Sequence, residues 1–319
     1  MKHYLGIDLG GTNVVAAVVD ENYTILARHS IKTDASLSFP DFVAGMADAA
    51  KAAVDKAGLS LTDMQAVGLG TPSCINPANN CLVYANNLGW KNVPLYDEMK
   101  KHFDIPVFIR NDADCAAYGE TLAGAASACS DALMVTLGTG VGGGIIMNKR
   151  IFSGADNMGA EIGHTKLVYN GVQCTCGQYG CFESYASATA LINQIKEAMA
   201  QNPESVMHAL CGGDMRKVEA KTAFDGAKQG DATAIGVVDR YISYLAAGLS
   251  TFICVFRPQV IILGGGVSNA GDALLLPLRK KLVANTFGGV EIGVPSVIIA
   301  TLGNDAGLIG AAFLCDMKA

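Results

Sequence analysis

Residues 161–183, EIGHTKLVYNGVQCTCGQYGCFE, bring one histidine, three cysteines and two glutamates into one short, glycine-broken stretch. His164 is followed by Cys174, Cys176 and Cys181, a C-x-C-x4-C spacing. Three thiolates so spaced converge on one point only if the chain turns sharply, and Gly177 and Gly180 supply the backbone for that turn. With His164 as fourth ligand, the set is that of a closed, tetrahedral structural zinc site with no open position for a reacting water. The alternative is a cluster of buried free cysteines, which would have no reason to bunch around glycines behind a histidine. Glu161 precedes His164 by three residues and Glu183 follows Cys181 by two, so a metal here pins both ends of a carboxylate-bearing segment. Metal on one imidazole nitrogen fixes the proton on the other, making it an oriented donor. Two carboxylates and one such N–H suit a polyol, whose hydroxyls both donate and accept.

Three glycine turns follow apolar strands elsewhere. Residues 4–7 read as a strand, Asp8-Leu9-Gly10-Gly11-Thr12-Asn13 as a turn, and 14–19 and 24–31 as two further strands. The turn has two readings: a plain hairpin turn, or a phosphate loop in which backbone N–H groups and Thr12 meet oxygens while Asp8 holds Mg²⁺ through water. The stretch 132–148, ALMVTLGTGVGGGIIMN, repeats the design, with Gly138, Thr139 and Gly140 in its turn. The repetition suggests two homologous domains clamping one nucleotide. Gly264, Gly265 and Gly266 form the third turn, where missing side chains leave room for the flat face of adenine or ribose. A strand at Val107–Ile109 leads into Asn111-Asp112-Ala113-Asp114 and a helix through about residue 123. A carboxylate there is either an N-cap or a catalytic group, since α/β folds place chemistry at strand C-termini.

The rest of the chain must hold these groups. Helices are expected at 40–57, 95–102, 231–256 and 305–316, and strands at 65–70, 260–263 and 296–301. Residues 71–94, rich in Asn and Pro, read as a loop in which the single tryptophan, Trp90, anchors packing. The run YISYLAAGLSTFICVF at 241–256, closed by Arg257-Pro258, reads as a buried core helix rather than a membrane span. The 319 residues, half of them hydrophobic, include 37 glycines and fit an α/β protein of two domains or one large one. A net charge of −6 without a basic cluster argues against a nucleic-acid partner. The seven cysteines outside the zinc motif are scattered singly and read as small buried residues, and no leader directs export, so a cytoplasmic location is expected.

In their order along the chain these motifs resemble the ROK (repressor, open reading frame, kinase) sugar kinases, and among them the bacterial ATP-dependent glucokinases. The resemblance spans essentially the full length. It rests on DLGGTN at 8–13, NNLGW at 86–90, NDAD at 111–114 and TLGTGVGGG at 136–144, with EIGH at 161–164, CTCGQYGCFE at 174–183 and LGGGV at 263–267. It implies an actin-like ATPase fold of two ribonuclease-H-like domains with a cleft between them, here 1–125 plus 305–319 and 126–304. By the same resemblance Asp112 falls on the catalytic base, and Asn111, Glu161, His164 and Glu183 on sugar ligands. Ser73 and Asn86 fall on further sugar contacts, and His164, Cys174, Cys176 and Cys181 on the zinc ligands. The implied reaction is transfer of the γ-phosphoryl of ATP, with Mg²⁺, to the 6-hydroxyl of glucose. Other hexoses (N-acetylmannosamine, N-acetylglucosamine, fructose or allose) are alternatives that the 71–90 loop would separate, and a non-catalytic sugar sensor is a second. Polyphosphate as donor would need a basic groove that the sequence does not display. The family's repressors carry an N-terminal helix-turn-helix, for which no room is expected before Asp8. A homodimer or homotetramer is implied, with no membrane partner.

Overall fold

The computed structural model describes residues 1–73, 75–76, 78–85 and 88–317. The chain begins with β1 (His3–Leu9), β2 (Asn13–Asp20) and β3 (Ile25–Lys32), an antiparallel meander. Helix α1 (Phe39–Lys56) follows, capped by the Ser38 hydroxyl accepting from the Asp41 N–H, with Pro40 in its first turn. Then come β4 (Met64–Thr71), three short strands β5 (Ile75–Asn76), β6 (Cys81–Ala85) and β7 (Trp90–Val93), α2 (Leu95–Lys100), β8 (Val107–Asn111) and α3 (Asp112–Leu122). The first sheet has the order β3-β2-β1-β4-β8, and β4 runs parallel to both β1 and β8.

The second half repeats this plan. It contains β9 (Ala132–Leu137), β10 (Val141–Met147), β11 (Arg150–Phe152), α4 (Glu183–Ala186), α5 (Ala188–Gln201), α6 (Met207–Leu210), α7 (Lys221–Lys228) and α8 (Ala232–Phe256). After these come β12 (Val260–Gly264), α9 (Asp272–Asn285), α10 (Gly289–Ile292), β13 (Ser296–Ile299) and the last helix, α11 (Asp305–Ala312). Its sheet, β11-β10-β9-β12-β13, matches the first sheet position for position. The weak sequence repeat therefore marks a structural duplication of the ribonuclease-H-like kind, and the fold is the actin-like ATPase fold.

The chain divides into two compact units, 1–132 with 144–160 and 301–319, and 133–143 with 161–300. Relative to the expected boundaries, residues 144–160 group with the first unit. Gly144 explains this: a Cβ there would lie 2.8 Å from the Ala113 carbonyl oxygen of α3. Helix α11 packs on α3, β1 and β4. Its approach to the sheet is so close that a Cβ on Gly68 would run into the Ala311 carbonyl. Where the chain re-enters this unit, the fully buried Glu120 carboxylate accepts the N–H groups of Thr301 and Leu302 at 2.9 and 2.8 Å.

The segment 71–94 departs from its expected loop. Strands β5, β6 and β7 form a small antiparallel sheet because Ile75, Leu82 and Ala85 have a core to enter, despite the surrounding Asn and Pro. Trp90 is the anchor expected of it, edge-on to Phe39 and Phe42 at centroid distances of 5.2 and 5.0 Å. Helix α8 is a buried core helix that ends at Arg257 in the left-handed conformation, φ 39°. Among the described residues no helix is long and apolar enough to cross a membrane.

Candidate active site and metal centre

In the first unit the chemistry-bearing residues collect at the C-terminal ends of the parallel strands. Asp8 pairs in register with Gly70, and Thr71 with Asn111. A Cβ on Gly70 would lie 3.6 Å from the Asp112 Cα, so the start of α3 passes directly over β4. Cys115, one turn into α3, is wholly buried; burial raises its thiol pKa, and the charges of Asp114, Asp112 and Asp8 push in the same direction. Burial also pushes the Asp8 carboxyl above the usual carboxylate range. A cation beside Asp8 would relieve that cost, which fits the expected magnesium role.

The N-cap of the helix that NDAD opens is Asn111. Its Oδ1 accepts the N–H groups of Ala113 and Asp114 at 2.9 and 3.3 Å. Asp112 thus becomes the first helical residue, half-buried, with Oδ1 2.7 Å from the Ala113 N–H. The turn after β1 does close a hairpin. The Gly10 N–H donates to the Asn13 carbonyl at 3.0 Å, and Thr33 braces the turn, its hydroxyl donating to the Gly10 carbonyl at 2.7 Å. Gly11 and Thr12 stay exposed at its tip. Ser73 is buried, and its Oγ accepts the Tyr84 N–H at 3.1 Å, tying it to β6. Asn86, the other expected sugar contact, and Cys74 of the specificity loop lie outside the described residues.

In the second unit His164, Cys174, Cys176 and Cys181 offer ligand atoms that all lie within 4.8 Å of one another. The Cys176 and Cys181 sulfurs are 3.8 Å apart, and Cys174 Sγ is 3.8 Å from His164 Nδ1. The edge of a tetrahedron with ~2.3 Å metal–sulfur bonds is about 3.8 Å, so the four side chains fit zinc. Both glycines do as expected, Gly177 at φ 87° and Gly180 at φ 74°. The Cys174 carbonyl accepts from Gly177 at 2.9 Å and the Cys174 N–H donates to Gln178 at 2.7 Å, closing the turn. Nδ1 faces the thiols, so a metal bound there would leave the ring proton on Nε2.

Lys166 had no assigned role, and only its contacts reveal one. Its ammonium donates to the Tyr179 carbonyl at 2.9 Å and approaches Cys181 Sγ at 3.6 Å. Three thiolates on one Zn²⁺ would leave a net negative charge, which Lys166 is placed to offset. Lys166→Met should therefore weaken zinc affinity about tenfold. Competition against a chromophoric chelator measures this, and unchanged affinity would show Lys166 to be a bystander.

Glu161 is exposed and leads into a tight turn whose Ile162 is buried. Glu183 opens α4, and the preceding Phe182 is wholly buried against Phe252 of α8 at 5.9 Å. The Glu183 carboxylate accepts the Val141 N–H at 2.9 Å and the Thr175 hydroxyl at 3.1 Å, and Cys174 Sγ lies 3.4 Å from it. One carboxylate therefore links the metal-binding loop to the glycine turn 138–140. A Cβ on Gly140 would strike that carboxylate and displace it, whereas a Cβ on Gly138 would meet nothing within 4 Å. The Thr189 hydroxyl braces the turn through the Thr139 carbonyl at 2.7 Å.

The third turn borders a cavity of about 260 Å³ lined by Phe224, Val267, Ala270 and Ala273, with Asn269 and Lys221 at polar positions. Gly264 ends β12, Gly265 turns the chain at φ 80° and Gly266 faces this cavity. The α7 wall was not anticipated, because a buried Phe224 in a short polar helix is an ordinary packing signal.

The ROK family model matches residues 4–318, and the chain belongs to the ROK family. It is similar to the glucokinase of Streptomyces coelicolor, 36% identical over 97% of this chain and 96% of that one. It is also 34% identical to the N-acetylmannosamine kinase of Yersinia pseudotuberculosis, over 97% of this chain and 96% of the relative. Among solved structures, a ROK glucokinase from Streptomyces griseus in complex with glucose and AMPPNP superposes with a TM-score of 0.80. That pair is 34% identical, with 98% of each chain covered.

Proposed function

We propose that this protein is an ATP-dependent hexokinase that converts glucose and ATP to glucose 6-phosphate and ADP. The observation that carries the reading is Asp112, placed by the Asn111 cap at the start of α3 and flanking Gly70 together with Asp8. Similarity to glucokinases over 97% of the chain, one solved relative being bound to glucose and AMPPNP, supports this pair of substrates.

Each residue then has a role. Asp112 accepts the proton of the sugar 6-hydroxyl as the O6–Pγ bond forms and the bond from Pγ to the bridging oxygen breaks, releasing ADP. Phosphoryl transfer has a loose transition state, so the remaining residues mainly position the reactants. Asn111, Glu161, Glu183 and the Nε2–H of His164 bind ring hydroxyls, with Ser73 and Asn86 as further contacts. Backbone N–H groups around Gly10–Asn13 and Gly138–Gly140 hold the phosphates. Gly264–Gly266 and the cavity beside Phe224 take the adenosine. Asp8 would hold Mg²⁺, which would supply neutralisation of the phosphate charge. His164, Cys174, Cys176 and Cys181 would hold a structural zinc, which would keep Glu161 and Glu183 in place. The protein works in the cytoplasm as a homodimer or homotetramer. The exposed side chains Phe287, Val290 and Ile292 support self-association.

N-acetylmannosamine is the second reading, favoured by the 34% identity to the Yersinia kinase. ADP release from Mg-ATP is measured across glucose, mannose, fructose, allose, N-acetylglucosamine and N-acetylmannosamine. The highest kcat/KM is expected for glucose. Preference for an N-acetyl sugar would move specificity to the 71–90 loop, and silence across the panel from folded, zinc-bound protein would favour a sugar sensor.

A further inference from the structure

The facing strands β4 and β8 form a ladder whose paired side chains share one face. Val67 stands opposite Val107 and Leu69 opposite Ile109, all four within the first unit's hydrophobic core. The next pair on that face is Thr71 and Asn111. Thr71 has no solvent exposure, and its Oγ1 finds no hydrogen-bond partner among the described residues. Burial alone would be served as well by valine, which has the same shape and no hydroxyl to desolvate. A buried hydroxyl without a partner lowers stability, and such costs concentrate where a ligand later supplies the missing bond. The position agrees: Thr71 ends a parallel strand, adjoins the cap of the helix that bears Asp112, and precedes Pro72-Ser73.

We propose that Thr71 is a positioning residue of the sugar site, its hydroxyl acquiring a hydrogen bond only in the sugar-bound protein. The partner chemistry is a hydroxyl, either one of the hexose's own or a water that the hexose holds. The inference rests on the hexokinase reading and adds a residue to it.

Thr71→Val and Thr71→Ser are compared with the intact protein for hexose KM, kcat and melting temperature with and without sugar. Thr71→Val is expected to raise hexose KM about 5–30-fold, the worth of one hydrogen bond to a bound ligand, and to shrink the sugar-induced rise in Tm. Without sugar it should melt no lower than the parent and as much as about 2–4 °C higher, because the unpaired hydroxyl is gone. Thr71→Ser should restore KM. An unchanged KM and an unchanged sugar-induced shift in Thr71→Val would overturn the proposal, as would a low sugar-free Tm with no rescue by serine. A parent protein that binds sugar but phosphorylates none would sink the kinase reading and leave the Thr71 comparison legible through the Tm shifts.

Discussion

Asp112→Asn is expected to lower kcat by about 10²–10⁴-fold, the range a positioned general base contributes, with hexose KM changed by less than about tenfold. The substitution preserves shape. The α3 cap belongs to Asn111, whose Oδ1 already satisfies the Ala113 and Asp114 N–H groups, so the helix keeps its start when residue 112 loses its charge. Asparagine at 112 also keeps an Oδ1 that can accept the Ala113 N–H, as Asp112 does at 2.7 Å, so the start of the helix is preserved. Asn111→Ala is the structural counterpart, costing about 1 kcal/mol of stability through the cap as well as any sugar contact. Single-turnover measurement with saturating Mg-ATP and glucose separates the chemical step from binding. Near-normal turnover by Asp112→Asn with sugar still bound would remove the base from Asp112.

How much of this was legible before the structure depended on how local each signal was. The convergence of His164 and the three cysteines was the clearest, because CTCGQYGC carries three candidate ligands and both turn glycines within eight residues. The duplicated strand–turn–strand units were also readable, since DLGGTN and TLGTGVGGG state strand ends and turns locally. Other features depend on partners far along the chain. Nothing in NDAD distinguishes Asn111 from Asp112 as the cap; the distinction comes from which backbone N–H groups the folded helix presents. The Glu183 bond to the Val141 N–H joins residues 42 apart, so Gly140 read as phosphate-loop chemistry when it must also make room for a carboxylate. Strands β5, β6 and β7 were hidden because Asn79-Asn80 and Pro77 spoke for loop, while Leu82 and Ala85 alternate too briefly to outweigh them. Residues 144–160 joined the first unit through Gly144 at α3, a packing fact that composition does not carry. Thr71 lay unnoticed in a Thr-Pro-Ser string, since a missing partner is visible only once all partners are placed.

Cys176→Ala is expected to remove zinc from the purified protein and raise hexose KM at least tenfold, while affinity for ATP changes little. Cys176 is the suitable ligand to replace because its side chain is exposed, unlike those of Cys174 and Cys181, so little packing is lost with the sulfur. The effect then comes from the metal, whose binding energy in such sites is of order 10 kcal/mol and is coupled to folding of the segment that supplies the ligands. Freed of it, His164 loses the constraint that directs its Nε2–H, and Glu161 loses the fixed turn behind it. Glu183 should suffer less, since Phe182 stays buried in the core and the Val141 N–H still holds the carboxylate. Partial rather than complete loss of sugar affinity is accordingly expected. The Phe224 cavity involves none of these residues, and the 138–140 turn keeps its Glu183–Val141 and Thr189–Thr139 bonds, which is why ATP serves as the internal control. Zinc content by mass spectrometry, glucose affinity by calorimetry and ATP affinity by fluorescence are read on the same preparation. Chelator-stripped parent protein should reproduce the phenotype, and added zinc should reverse it there but not in Cys176→Ala. If glucose affinity survived a full loss of zinc, the metal would be a staple for the loop alone, and the placement of Glu161 and His164 would have to come from the backbone around Ile162.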